Sequence, residues 1–184
     1  MKNTLEPQSF TATHLLRDDH KKIKGLIRQL EAAPQRAREM TSGVLKELCM
    51  ELEIHGVIEK ELFYPALIDA TDDISIRFQI EQGLAAHDEI SNLMTEFEGL
   101  QQDETRFKDK FQELTESVEL HIKDEEEILL AQADTLLGGQ LIELGNKMME
   151  RRSELIQLPQ YQSAQPEVVQ NPNGGEQMRK REAA

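Results

Sequence analysis

At 184 residues the chain has room for one ordinary domain with a buried core and little more. Its 35 acidic against 21 basic residues give a net charge of -14, a field that repels phosphate backbones and anionic membrane surfaces, so neither nucleic acid nor a membrane is an expected partner. The first residues lack the apolar stretch of a signal peptide, and no apolar run approaches the roughly 18 to 20 residues of a membrane span, so the expected location is cytoplasmic. A single cysteine, Cys49, excludes an internal disulfide framework and reads as a small buried apolar side chain.

Glycine and proline fall between long stretches rich in Glu, Leu, Lys, Ile and Gln, which is the composition of helices joined by short connections. The first helix is predicted over residues 11–32, stopping before Pro34, which disfavours helical geometry in the residue ahead of it. The second starts at Thr41 or Ser42 as its N-cap and runs to the Phe63-Tyr64-Pro65 segment, where proline kinks or ends it. Thr71, Asp72 and Asp73 offer caps for a third helix reaching about residue 100, and Asp103 caps a fourth that runs to Gly138-Gly139. A shorter helix over residues 140–156 precedes a proline- and glycine-bearing tail with too few apolar residues to order itself. The expected architecture is all-α: an up-down-up-down antiparallel four-helix bundle with a short fifth C-terminal helix. A flexible N-terminus over residues 1–10, a domain over 11–157 and a disordered tail over 158–184 complete the organisation.

The core-facing seam of each long helix, followed at alternating three- and four-residue spacing, is not purely apolar. It reads Leu16, His20, Ile23, Ile27, Leu30 in the first helix and Leu45, Leu48, Leu52, His55, Glu59, Leu62 in the second. The third gives Ile76, Ile80, Gly83, His87, Ile90, Met94, Phe97, and the fourth Phe107, Phe111, Leu114, Val118, His121, Glu125, Ile128. A lone histidine on such a face is ordinarily a hydrogen-bonded core residue. Four histidines and two glutamates are different, because burying them without compensation would cost several kcal/mol each, and a shared metal is the natural partner.

Counting from the loops at about 1.5 Å of rise per residue brings all six to similar height. The pairs His55 with Glu59 and His121 with Glu125 each project from one helical face a turn apart, a spacing suited to chelation. Imidazole and carboxylate together suit iron, zinc or manganese, and a glutamate can bridge neighbouring metals through its two oxygens. Carboxylates also offset the charge of two ions in a core of low dielectric, which favours two irons over one zinc.

The blocks Leu15 to His20, His55 to Pro65, Ala86-His87 and His121 to Glu127, in that order, resemble the hemerythrin-like family, specifically bacterial proteins with the HHE cation-binding domain. The resemblance implies an oxo- or hydroxo-bridged pair of iron ions, with His20 and His55 on one iron, His87 and His121 on the other, and Glu59 and Glu125 bridging. Manganese or zinc would be the substitutes. Oxygen-carrying hemerythrins place a further histidine one turn from His87, whereas this chain has Gly83 and Ser91 there, so one metal is expected to keep an open or water-filled position. That favours a protein that binds, senses or reacts with a small oxidant or diatomic gas (oxygen, hydrogen peroxide or nitric oxide) over simple oxygen carriage. A redox partner is not identifiable from the residues.

Weaker candidates flank the six. His14 is expected to point away from His20, Glu126 to belong to a solvated acidic face, and Tyr64 to serve packing and helix termination, with a place in the site as the alternative for each. Iron storage and a structural bundle with adventitious metal are the alternatives. No glutamate sits three residues before any histidine, which argues against ferritin-type ligation, and no nucleophile elbow, phosphate-binding glycine loop or haem motif is present.

Overall fold

The Thr11 hydroxyl accepts the His14 backbone N–H at 3.2 Å and opens α1 (Ala12–Ala32), the first helix of a computed structural model that describes residues 10–33, 38–97 and 104–162. After the second connection, Asp73 receives the Ser75 N–H on its side chain at 2.8 Å and starts α4 (Ile74–Phe97), as the run of capping residues predicts. Every element among the described residues is helical. α2 (Arg38–Ile58) lies against α1, α5 (Glu104–Asp124) lies against α4, and α7 (Gln140–Ile156) packs across α1 and α2 as the fifth helix of the bundle. The described residues include no helix long and apolar enough to cross a membrane.

Two expected boundaries move. α2 begins at Arg38, ahead of the expected caps Thr41 and Ser42, because Glu39 and Met40 are good helix formers that carry the helix upstream of them. Pro65 neither ends nor breaks the second long helix, which passes through one wide π-helical turn at Glu59–Phe63 and continues as α3 (Tyr64–Ala70). The π-helical turn opens the hydrogen-bond ladder just ahead of Pro65, where the proline has no N–H to donate. The expected end of the third helix near residue 100 and the Asp103 cap lie outside the described residues.

A matching π-helical turn, Glu125–Leu129, joins α5 to α6 (Leu130–Leu136), and Gly138 takes a positive φ of 47° as the chain turns into α7. Each wide turn holds one residue more than an α-turn, so the buried seam steps on by one position past it. Phe63 is buried where the regular spacing predicts Leu62, and Leu129 where it predicts Ile128.

The core falls into two apolar clusters. One gathers Leu16, Ile54, Ile58, Phe63, Leu67, Ile80, Leu130 and the inner face of α7; the other gathers Ile23, Leu48, Leu52, Ile90, Phe97, Leu114 and Val118. His20 lies between Leu16 of the first and Ile23 of the second, and His87 between Ile80 and Ile90, so the polar residues form a layer sandwiched by apolar ones. Cys49, expected to be buried, is only half-buried.

Helical structure continues past residue 157, where the tail is expected to begin. Leu158 and Tyr161 donate backbone hydrogen bonds to Leu155 and Leu158, Pro159–Gln162 forms the short α8, and the Tyr161 side chain is buried in the first cluster. One well-placed aromatic ring supplies the apolar surface that composition alone understates. The rest of the expected tail lies outside the described residues. Replacing Tyr161 with alanine should therefore cost about 2 kcal/mol of stability, readable as a lower urea midpoint, whereas a disordered tail would leave the midpoint unchanged.

Candidate metal centre

Each long helix delivers its histidine to one layer. His20 comes from α1, His55 from α2, His87 from α4 and His121 from α5, and all four are buried. Glu59 and Glu125 open the two π-helical turns, one turn beyond His55 and His121, and are equally buried. The donor atoms of His20, His55, Glu59 and Glu125 lie within 4.8 Å of one another, as do those of Glu59, His87 and His121. Glu59 is common to both groups. Its Oε1 is 3.2 Å from His55 Nε2, while its Oε2 is 2.7 Å from His87 Nε2 and 3.7 Å from His121 Nε2. Glu125 stands 3.1 Å from His20 Nε2 and falls in the first group alone.

Glu59 Oε2 is met by His87 and Tyr64, but most of the polar atoms of this layer lack a partner. His20 Nε2, both His55 nitrogens, Glu59 Oε1, His121 Nε2 and both Glu125 oxygens are buried without a hydrogen bond. Each such orphan costs about 1–3 kcal/mol, and all but His55 Nδ1, which faces Asp19, belong to residues whose donor atoms gather in the layer. Imidazole nitrogens and carboxylate oxygens in these two groups fit cations, which would satisfy the atoms that the protein leaves unpaired.

Electrostatics agree with that need. Burial pushes the Glu125 carboxyl well above the usual carboxylate range, reinforced by the Glu59 charge beside it. Burial would also raise Glu59, but His55 and His87 outweigh it and hold the carboxyl well below its usual range. His20 is driven down to about 4, by burial first and then by repulsion from His55. Burial opposes the charged form of His55 too, yet Glu59 and Asp19 raise it overall.

The weaker candidates sort differently. His14 is exposed, with its ring against Phe10 at 6.1 Å between centroids, and stays away from the layer as expected. Glu126 does more than solvate a surface, because its Oε1 meets His20 Nδ1 at 2.9 Å, on the far side of the ring from Glu125. Tyr64 is drawn into the site. Its hydroxyl lies 3.2 Å from Glu59 Oε2 and 3.3 Å from His87 Nε2, fully enclosed, and burial raises its pKa.

Gly83 makes that placement possible. A Cβ at position 83 would lie 2.7 Å from the Tyr64 hydroxyl, so phenol and any larger side chain exclude one another. The room beside Gly83, one turn from His87, is therefore filled by a side chain from the neighbouring helix. Gly56 plays a similar part, because a Cβ there would stand 2.9 Å from His87 Nδ1. Both glycines lie within motifs visible in the chain, but their steric role needs the neighbouring helix to become visible.

Sequence reasoning missed the residues behind the layer. Asp19 Oδ2 lies 3.9 Å from His55 Nδ1 and 3.2 Å from Arg152 of α7. Arg152 also makes a short ion pair with Glu51, a buried carboxylate one turn before His55, which Lys22 meets at 2.7 Å. These contacts join α1, α2 and α7 across the fold, so no local spacing signals them.

Comparison with known proteins follows the same lines. An uncharacterized protein of Mycobacterium tuberculosis strain H37Rv and another of Mycobacterium bovis are each 27% identical to the chain over 154 residues, covering 83% of it and 91% of the relative. A crystal structure of a hemerythrin HHE cation binding domain-containing protein from Mycobacterium kansasii superposes with a TM-score of 0.70 at 25% identity, over 84% of this chain and 97% of that one. The profile of the hemerythrin HHE cation binding domain matches residues 11–133, spanning all four histidines and both glutamates, and the chain thus belongs to the hemerythrin HHE cation-binding domain family.

Proposed function

We propose that the chain is a non-haem di-iron protein that binds, senses or reacts with a small oxidant, either oxygen, hydrogen peroxide or nitric oxide. The observation that carries this reading is the pair of donor groups joined through Glu59, beside a cavity of about 220 Å³ that reaches Tyr64, Gly83, His121 and Glu125 from the surface between α4 and α5. The space readily holds any of the three molecules, so the donor groups and not its volume carry the reading.

Iron bound there would supply reversible one-electron chemistry and open coordination positions. The chain's own residues supply the rest. Glu59 and Glu125 offset cationic charge in a layer closed above and below by apolar clusters, and the histidines present neutral nitrogen donors. The Tyr64 hydroxyl donates to Glu59 beside His87, and Tyr64 lines the cavity, so its phenol shapes the space next to the donor groups. Manganese and zinc fit the same donor types, and cellular availability selects among them. The net charge of -14 supports the expectation that nucleic acid is no partner.

Protein purified from iron-supplemented cells should hold one iron per donor group and show ligand-to-metal charge-transfer absorption in the visible. His55→Ala and His121→Ala should each lower the iron content and abolish that absorption while the helical circular dichroism persists. Little iron in the wild type would sink the reading, and so would a reduced, loaded form whose spectrum responds to none of the three oxidants.

Gly83→Ala should destabilise the fold by about 1–3 kcal/mol through overpacking against Tyr64. Adding Tyr64→Phe, which removes the clashing oxygen, should recover much of that loss in a double-mutant cycle. Additive penalties would mean that residue 83 and the phenol do not compete.

A further inference from the structure

Resting on the metal-binding reading, we propose that Arg152 of α7 is a positioning residue for the metal centre: anchored on Glu51, it sets Asp19 against the outer nitrogen of His55. α7 begins past residue 133, where the match to the domain profile ends, so this helix acts on the layer from outside the matched region.

The chain of contacts starts on an apolar stripe. Met148 and Leu155 bury one face of α7, and Arg152 lies on that same face, about one turn from each. The helix comes close to α1 because position 145 is glycine: a Cβ there would press on the backbone of Phe10 and Ala12, 2.9 Å from the Ala12 nitrogen. An arginine brought to the inner side of a bundle needs carboxylates, and α1 and α2 each supply one. Asp19 directly precedes His20, and Glu51 precedes His55 by one turn.

The two carboxylates are held differently. Glu51 is 2% exposed and paired on both oxygens, Oε1 by Lys22 at 2.7 Å and Oε2 by one terminal nitrogen of Arg152, which makes it a fixed post. Asp19 takes the other terminal nitrogen of Arg152 at 3.2 Å through Oδ2, the same oxygen that faces His55 Nδ1 at 3.9 Å. The rigid guanidinium fork sets the separation of the two carboxylates, which the flexible point charge of a lysine does not.

His55 is where that placement matters. Its Nε2 faces the layer, 3.2 Å from Glu59, so a neutral ring that offers Nε2 to a cation carries its proton on Nδ1. Nδ1 is buried without a hydrogen bond, and among the described residues Asp19 is the one carboxylate that faces it. At 3.9 Å the acceptor stands just outside hydrogen-bond reach, so a small shift of Asp19 decides whether the ring is held. A carboxylate on the outer nitrogen of a ligating histidine fixes the ring and raises its basicity. Arg152 controls that shift from a helix that supplies none of the six residues of the layer.

The test is an anaerobic titration of the metal-free full chain with cobaltous ion, in which visible absorption gives the overall constant for filling the site. The urea midpoint of the metal-free protein is measured in parallel. Asp19→Asn should lower the binding constant about 10–100-fold, and Arg152→Lys, which keeps the charge, about tenfold. The double variant should bind no more weakly than Asp19→Asn alone, because Arg152 acts through Asp19. In metal-free protein carrying isotope-labelled histidine, Arg152→Lys should shift the imidazole nitrogen resonances of His55 and leave those of His121 in place, a selectivity that general loosening of the bundle does not produce. Should Arg152→Lys fail to fold, Glu51→Gln removes the anchor instead and should give the same selective shift and a similar loss. Wild-type affinity in a folded Arg152→Lys protein, with only the urea midpoint lowered, would make the residue a structural brace and overturn the proposal. Penalties that add in the double variant would overturn it as well. Failure of the wild type to bind cobalt at all would overturn the metal reading itself, and this inference with it.

Discussion

The rest of the molecule is arranged around the burial of six ionisable side chains at one level of an apolar bundle. They satisfy one another only in part: Glu59 meets His87, but seven of their nitrogen and oxygen atoms have no hydrogen bond. A core of leucine and isoleucine at the same positions would be the cheaper way to hold four helices together. The chain instead divides its apolar residues into two clusters and places the charged layer between them, which shields it from solvent on both sides. Stability is carried by the clusters; the layer is what the clusters protect.

The two π-helical turns reconcile those demands. A regular α-helix that aims His55 and Glu59 inward would next aim Leu62 inward, and would carry the Tyr64 ring away from the layer. One extra residue in the turn allows Glu59, Phe63 and Tyr64 all to face the interior. The same device follows His121, where Glu125 and Leu129 face inward and the half-exposed Glu126 reaches the outer nitrogen of His20. Wide turns of this type are strained relative to the α-helix and tend to mark functional positions, and here both begin on a buried carboxylate.

α7 does more than cap the bundle. Arg152 neutralises Asp19 and Glu51 together, tying the first helix, the second and the fifth into one unit behind His20 and His55. Among the described residues no arginine-linked carboxylate pair stands behind His87 and His121, where Gly56 of α2 lies against His87 and Gly83 of α4 against Tyr64.

The sequence by itself determined the helices, their order, and the inward-facing histidine of each, because 3.6-residue periodicity is local and survives in a single chain. It also identified all six residues of the layer, since charged groups on an apolar seam stand out wherever the helix packs. Only the tertiary structure decided which groups face one another: that Glu59 belongs to both halves and Glu125 to the first, that Tyr64 fills the space left by Gly83, and that Arg152 stands behind His55 through Asp19. It likewise moved the seam by one residue after each glutamate and drew Tyr161 into the core. Those facts depend on distances between helices far apart in the chain, and side-chain spacing along one helix carries no information about the helix it will meet.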